Sequence, residues 1–198
     1  VKKVIQKESV FGGVILSDGT KITGNMLVVG IGVIPDSKLA IKAGIETENS
    51  DGGAILIDEF MRTSDPDVFA IGDVALKRGD KMRIESVHNA QESATHAAAT
   101  IMEKELPFRE APWFWSDQYD ANLQSVGIVP TGDESVYQVA REGIHDGGIS
   151  FWSYRGENLI AVEAVRDPKN FMLGKECLEK NVSPDPRLIC NSDFDPMN

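Results

Sequence analysis

Thr63-Ser64-Asp65-Pro66-Asp67-Val68-Phe69-Ala70-Ile71-Gly72-Asp73-Val74-Ala75 is the stretch from which the architecture can be read. Asp65-Pro66 disfavours helix and sets a turn or extended conformation ahead of Val68. Val68 to Ile71 form a short apolar run, suited to a strand covered on both faces. Gly72 then removes a side chain where a second backbone or a ligand must come close. Asp73 comes next, at the expected carboxyl end of that strand, the edge at which open α/β sheets place their ligands. Its carboxylate can accept hydrogen bonds from ribityl or ribose hydroxyls. An ordinary strand ending in an Asp-containing turn has the same local pattern, so these residues alone leave both readings open.

Towards the N-terminus, residues 4–16 and 20–31 read as strands around the turn Ser17-Asp18-Gly19. Asp36 to Ala43 reads as a short helix with Asp36 or Ser37 as its cap and Gly44 as its stop, and Ala54 to Asp58 as a strand. Towards the C-terminus a helix is expected from about Val87 to Glu105, ended by Pro107, with Ala90, Ala94, Ala97, Ala98 and Ala99 permitting close packing. Residues 107–112 read as a linker. Strands are expected over Ser125–Val129, Ser135–Ala140, Ile149–Tyr154 and Asn158–Val165, the last two joined by Arg155-Gly156-Glu157. Pro168 to Glu179 reads as a helix with Pro at its start, and the tail from Ser183 as coil. The fold class expected is α/β plus α+β: a partial Rossmann-like dinucleotide-binding region with an α+β domain after it.

A chain of 198 residues with 41% hydrophobic and 26% charged residues can bury a sizeable core. Its formal net charge of −11 argues against nucleic acid and anionic membrane partners. No run of apolar residues approaches a membrane span and no signal peptide opens the chain, so a cytoplasmic location is expected. Cys177 and Cys190 lack CxxC spacing and read as free thiols in a reducing compartment. No His, Cys, Asp or Glu set has the spacing of a zinc site, so no metal is expected.

Several stretches resemble, in the same order, the two-dinucleotide-domain flavoprotein reductases of the pyridine nucleotide-disulphide oxidoreductase superfamily. The Gly72-Asp73 segment resembles their second flavin-contacting motif. Leu27-Val28-Val29-Gly30-Ile31-Gly32-Val33-Ile34-Pro35-Asp36 is similar to the last strand of the NAD domain and its exit. Arg83-Ile84-Glu85-Ser86-Val87-His88-Asn89-Ala90 is similar to the entry of the helix facing the flavin ring. Ala111-Pro112-Trp113-Phe114-Trp115-Ser116-Asp117-Gln118-Tyr119-Asp120 is the narrowest signal. It resembles the ferredoxin reductases of oxygenase systems, the putidaredoxin reductase-like branch. Ala161 to Val165 and Pro168 to Met172 resemble the C-terminal domain of the same enzymes.

The resemblance implies roles residue by residue. Asp73 would contact the ribityl–pyrophosphate part of FAD, with backbone help from Gly72 and Val74. Val87, at the start of a helix whose first amides are unpaired and partly positive, would face the electron-rich edge of the flavin. Glu85 would orient the nicotinamide carboxamide, though a solvated helix-start charge reads equally well. Trp115 would shield the isoalloxazine and stand between it and a docked iron–sulfur protein. Ser116, Asp117 and Gln118 would hold that indole, and Trp113 and Phe114 read as core aromatics. Gly30, Ile31 and Gly32 would let NAD(P)H approach the backbone closely. His88 reads as a polar helix residue, because hydride transfer between nicotinamide and flavin needs no side-chain proton shuttle.

The family carries two G-x-G-x-x-G fingerprints, and none occurs among the 18 glycines here. With Val1 falling inside what resembles an NAD-domain strand, the expectation is the C-terminal half of a longer enzyme, with the N-terminal half of the same chain as its necessary partner. Residues 1–31 would end an NAD(P)-binding domain, 32–107 form the second segment of an FAD domain, and 108–198 the reductase C-terminal domain. The function implied is transfer of electrons from NAD(P)H through FAD to a ferredoxin or rubredoxin, this part alone being inactive. The alternative is a redox or interaction module like the apoptosis-inducing factors, without a dedicated ferredoxin partner. A cofactor-free structural domain of the same fold is a third.

Overall fold

The computed structural model describes residues 1–49, 52–130, 132–143, 147–191, 193, 194 and 196. Compactness divides the chain into Val1–Ile34 and Pro35–Asn198.

In the first unit, β1 (Lys3–Lys7), β2 (Val10–Ile15) and β3 (Lys21–Thr23) form an antiparallel meander. The single strand expected over 4–16 is therefore a hairpin. Glu8 and Ser9 turn it with φ of 52° and 67°, a two-residue left-handed turn made without the Asn-Gly signal that usually announces one. The Ser17–Gly19 turn forms, closed by Leu16 N–H donating to Thr20 O at 2.9 Å. The strand expected over 20–31 stops at Thr23. Met26, Val28, Val29, Ile31, Val33 and Ile34 are exposed, and no described residue pairs with them as a strand. An apolar run of parallel-sheet character holds its extended form only between neighbouring strands.

The second unit begins with α1 (Lys38–Lys42), β4 (Thr47–Asn49), β5 (Gly52–Ile57) and β6 (Ala75–Lys77). Ser37 occupies the cap position of α1, but with ψ of 8° its hydroxyl caps nothing. β5 pairs antiparallel with β4 and parallel with β6. Helix α2 (Val87–Ile101) covers this small sheet, closing a core of Ile57, Met61, Ala70 and Ala97. The helix is shorter than the sequence suggests. Glu103 takes a φ of 53°, and Lys104 N–H folds back to Ala99 O at 2.9 Å, so the stop comes before Pro107.

The larger layer is an antiparallel sheet of β7 (Trp113–Gln118), β8 (Ala121–Gly127), β9 (Val136–Glu142), β10 (Ile149–Arg155) and β11 (Asn158–Val165), in spatial order β7-β8-β11-β10-β9. Strand β7 has no counterpart among the expected elements, and β8 starts ahead of the expected Ser125. Helix α3 (Pro168–Glu179) lies on β11 and β8, capped by Asp167, which accepts from Asn170 N–H. A Cβ at Gly174 would sit 2.6 Å from Val162, so glycine is what lets α3 approach the sheet. Val126, Trp152, Tyr154, Val162, Phe171 and Ile189 are among the buried core residues.

The tail is not all coil. It forms α4 (Pro186–Ile189) and is tied inward by Arg141, which is buried. The guanidinium donates to the carbonyls of Ile189 at 3.0 Å, Asn191 at 2.7 Å and Phe194 at 2.8 Å, and to Asn170 Oδ1 at 2.9 Å. Cys177 is buried and Cys190 exposed, and neither is in a disulfide. Among the described residues no helix is long and apolar enough to cross a membrane.

Candidate functional site

The segment Thr63–Ala75 delivers Asp73 differently from the expected strand end. Within the expected strand Val68–Ile71 only Phe69 pairs, through a single antiparallel bridge to Arg62, with Ala70 N–H donating to Met61 O at 3.2 Å. Ile71 is extended, Gly72 turns the backbone with a φ of 66°, and Gly72–Val74 wind one 3₁₀ turn leading into β6. Asp73 thus precedes a strand instead of ending one. Left-handed backbone at Gly72 is the physical reason, since it breaks the extended run where the apolar pattern would have continued it. Gly72 is buried against α2, its N–H donating to Ser93 Oγ at 3.0 Å.

Ser86 begins α2 with extended backbone, and its Oγ accepts from Asn89 N–H at 3.1 Å. Asn89 Nδ2 donates to Ile84 O at 2.8 Å and pins the incoming loop. The amides of Val87 and His88 have no carbonyl within the helix to bond, which leaves donors and partial positive charge at this end. From the other side, β7 brings Trp115 to the edge of the large sheet.

Asp73, Glu85 and Val87 meet Trp115 in one cleft, completed by Ser86, Ala90 and Phe114 and holding about 410 Å³. Val87 is 56% exposed and Trp115 46%, so both present their surfaces to the cleft and to solvent. Ala90 keeps the floor shallow. The volume lies in the ~300–1,000 Å³ range of small-molecule sites. An indole wall, helix-end donors and a carboxylate acceptor suit a flat, electron-rich ring bearing a hydroxylated chain, so the residues present fit a flavin.

Arg83 is the site residue that sequence reasoning passes over. Its Nη1 donates to the Asp73 carbonyl at 2.6 Å, and its Nη2 pairs with Glu85 Oε1 at 2.6 Å. One guanidinium thus fixes the backbone carrying one acid and offsets the charge of the other. Its only sequence signal is its place two residues before Glu85, which says nothing of the reach back to Asp73.

Other expected residues fall elsewhere. Gly72 and Val74 flank Asp73 without lining the cleft. Gly30, Ile31 and Gly32 lie exposed in the irregular end of the first unit. Ser116, Asp117 and Gln118 are strand residues with local bonds, Gln118 Nε2 to Ser116 Oγ at 3.3 Å and Asn122 Nδ2 to Asp117 Oδ1 at 2.6 Å, and neither bond reaches the Trp115 indole. A strand directs alternate side chains to opposite faces, which separates Ser116 and Gln118 from the ring they are expected to hold, while Asp117, on the ring's own face, is bonded to Asn122. Phe114, expected in the core, is 43% exposed and walls the cleft, whereas Trp113 packs inward against Phe171. His88 points away from the cleft, its Nε2 lying 3.4 Å from Glu110 Oε2.

Comparison with known proteins agrees with this architecture. The family described as pyridine nucleotide-disulphide oxidoreductase matches residues 1–94, and that described as reductase C-terminal matches residues 113–197. The chain belongs to the pyridine nucleotide-disulphide oxidoreductases. Rhodocoxin reductase of Rhodococcus erythropolis is 33% identical over 199 residues, covering 98% of this chain and 45% of the relative. Putidaredoxin reductase CamA of Pseudomonas putida is 34% identical, covering 89% of this chain and 41% of its own. The crystal structure of the ferredoxin reductase for the CYP199A2 system from Rhodopseudomonas palustris superposes with a TM-score of 0.86 at 34% identity, over 98% of this chain and 48% of that one. This member of the family therefore spans less than half the length of each of these relatives.

Proposed function

We propose that this chain forms the flavin-shielding part of an FAD-dependent reductase that passes electrons from NAD(P)H to a ferredoxin or rubredoxin. The observation that carries the reading is the shared cleft, where an acid, a helix N-terminus and an indole converge from three separate elements. FAD, when bound, supplies a ring able to accept a hydride and to release electrons one at a time. Asp73 accepts hydrogen bonds from the cofactor's ribityl–pyrophosphate part. The amide end of α2 at Val87 donates to the edge of the ring where negative charge gathers. Trp115 covers the ring and excludes water. Glu85, steadied by Arg83, accepts from the carboxamide of the nicotinamide.

Residues 1–31 are read as ending an NAD(P)-binding domain in which Gly30, Ile31 and Gly32 border the nucleotide. Residues 32–107 then complete an FAD domain, and 108–198 form the C-terminal domain against which an iron–sulfur partner docks. Cys177 and Cys190, neither in a disulfide, support a reducing, cytoplasmic setting.

The test uses the full-length protein. Asp73→Ala is expected to weaken FAD retention by about tenfold or more, the loss of a charge-assisted hydrogen bond. Trp115→Ala is expected to keep FAD but slow NADH-dependent ferredoxin reduction. Equilibrium dialysis and stopped-flow absorbance read the two effects, and unchanged values for both variants would remove the assignment.

A further inference from the structure

Trp115 meets one other ring among the described residues, that of Trp113, with centroids 5.6 Å apart and planes tilted by 35°. The two stand two residues apart on β7 and so share a face of the strand. Whatever fixes Trp113 therefore fixes the inner side of Trp115. Trp113 is not held by its own indole N–H, which is buried with no partner. It is held instead by its ring surroundings: His88 of α2 at 5.4 Å, Phe171 of α3 at 5.9 Å, and the Lys175 ammonium of α3 at 5.8 Å from the centroid. His88 and Phe171 supply area, while the ammonium supplies a fixed charge against the ring.

That ammonium is itself held. Lys175 Nζ donates to Glu110 Oε2 at 2.6 Å and lies 3.5 Å from Glu179 Oε1. The Glu110 backbone is anchored in turn, its N–H donating to Glu92 Oε1 of α2 at 2.8 Å. Charge, ring and strand thus form a chain running Glu110, Lys175, Trp113, Trp115. We propose that Lys175 is a positioning residue for Trp115, acting through Trp113, with Glu110 as the group that sets its ammonium in place. The clamp joins α2, β7 and α3 behind the cleft and replaces the Ser116–Gln118 set as the support of the indole. It rests on the reading of Trp115 as the flavin shield, but its geometry stands apart from any flavin.

The experiment tracks the indoles themselves. Trp152 is fully buried and serves as a silent internal reference, and Trp115→Phe assigns the Trp115 signal. Lys175→Met keeps an unbranched side chain over Trp113 and removes the charge. It is expected to raise the acrylamide quenching constant of Trp115 about twofold and to remove about half of the Trp113–Trp115 exciton couplet in circular dichroism. Lys175→Arg should restore both. Glu110→Gln, which leaves Trp113 packed, should shift them in the same direction by less, and it serves if Lys175→Met fails to fold. A folded Lys175→Met protein with unchanged couplet and quenching overturns the proposal, as does a Glu110→Gln protein indistinguishable from the parent. An FAD titration of the full-length protein separates the two ideas. Emission from Trp115 that depends on Lys175 yet ignores FAD keeps the clamp and discards the flavin assignment.

Discussion

Around α3 the side chains of Val126, Trp152, Tyr154, Val162, Phe171 and Cys177 close on one another, whereas around β5 and β6 the buried cluster among the described residues is the smaller set Ile57, Met61, Ala70 and Ala97. Both layers contribute walls to the same cleft. Trp115 stands on the heavily packed one. Asp73 and Glu85 stand on the lighter one, secured by the bonds of Arg83 and by the Ser86 cap. A site of this kind has one rigid wall and one that opens at lower cost. The acids are therefore placed by hydrogen bonds and the indole by packing.

The widest separation should come from the cores. Phe171→Ala, at 4% exposure, is expected to cost about 3–5 kcal/mol in urea unfolding. Met61→Ala in the smaller core should cost nearer about 2 kcal/mol. A larger loss at Met61 would break the comparison. Removal of the cap comes next. Ser86→Ala is expected to cost about 1 kcal/mol and to speed hydrogen exchange at the Asn89 amide, leaving the large sheet untouched. Exchange that rises equally across β8 and β11 would mean the two layers open as one.

The smallest effect is electrostatic. The Lys175 hydrogen bond holds the Glu110 carboxyl below its ordinary value of 4.5, with burial opposing and the Lys175 and His88 charges adding to the depression. A carboxylate depressed in the folded state contributes stability above its unfolded pKa and loses it as pH falls through the folded value. Acrylamide quenching of Trp115 should therefore stay level from neutral pH down to 4.5 and rise only below it. The charged and titratable groups against Glu110 are Lys175 from α3 and His88 and Glu92 from α2. A step well above 4.5 would remove control from Glu110.

Legibility in the sequence tracks the kind of force involved. Helix α3 and strand β11 match their expected bounds, because Asp167-Pro168 and Arg155-Gly156-Glu157 are local signals that tertiary contacts have no reason to override. The start of α2 is readable for the same reason. Strand β7 escapes a reading from pattern because an edge strand of Trp, Phe, Ser, Asp and Gln needs only one neighbour, and its partial exposure hides any alternation of buried and open positions. The four residues Asp73, Glu85, Val87 and Trp115 can be nominated from motifs, and the structure places them in one cleft. Their supports cannot. Arg83 reaches back to Asp73, and Lys175 reaches Glu110 across a long stretch of chain, through side-chain bonds that leave no periodic trace.

Arg141 carries a consequence for handling the protein. Its guanidinium is held by carbonyls that belong to residues 189, 191 and 194, so those three residues are tied to the large layer. A stop codon at 189, or a bulky fusion that drags these residues outward, would take three carbonyl acceptors away from a buried guanidinium. The damage would then surface at β9, far along the chain from the cut.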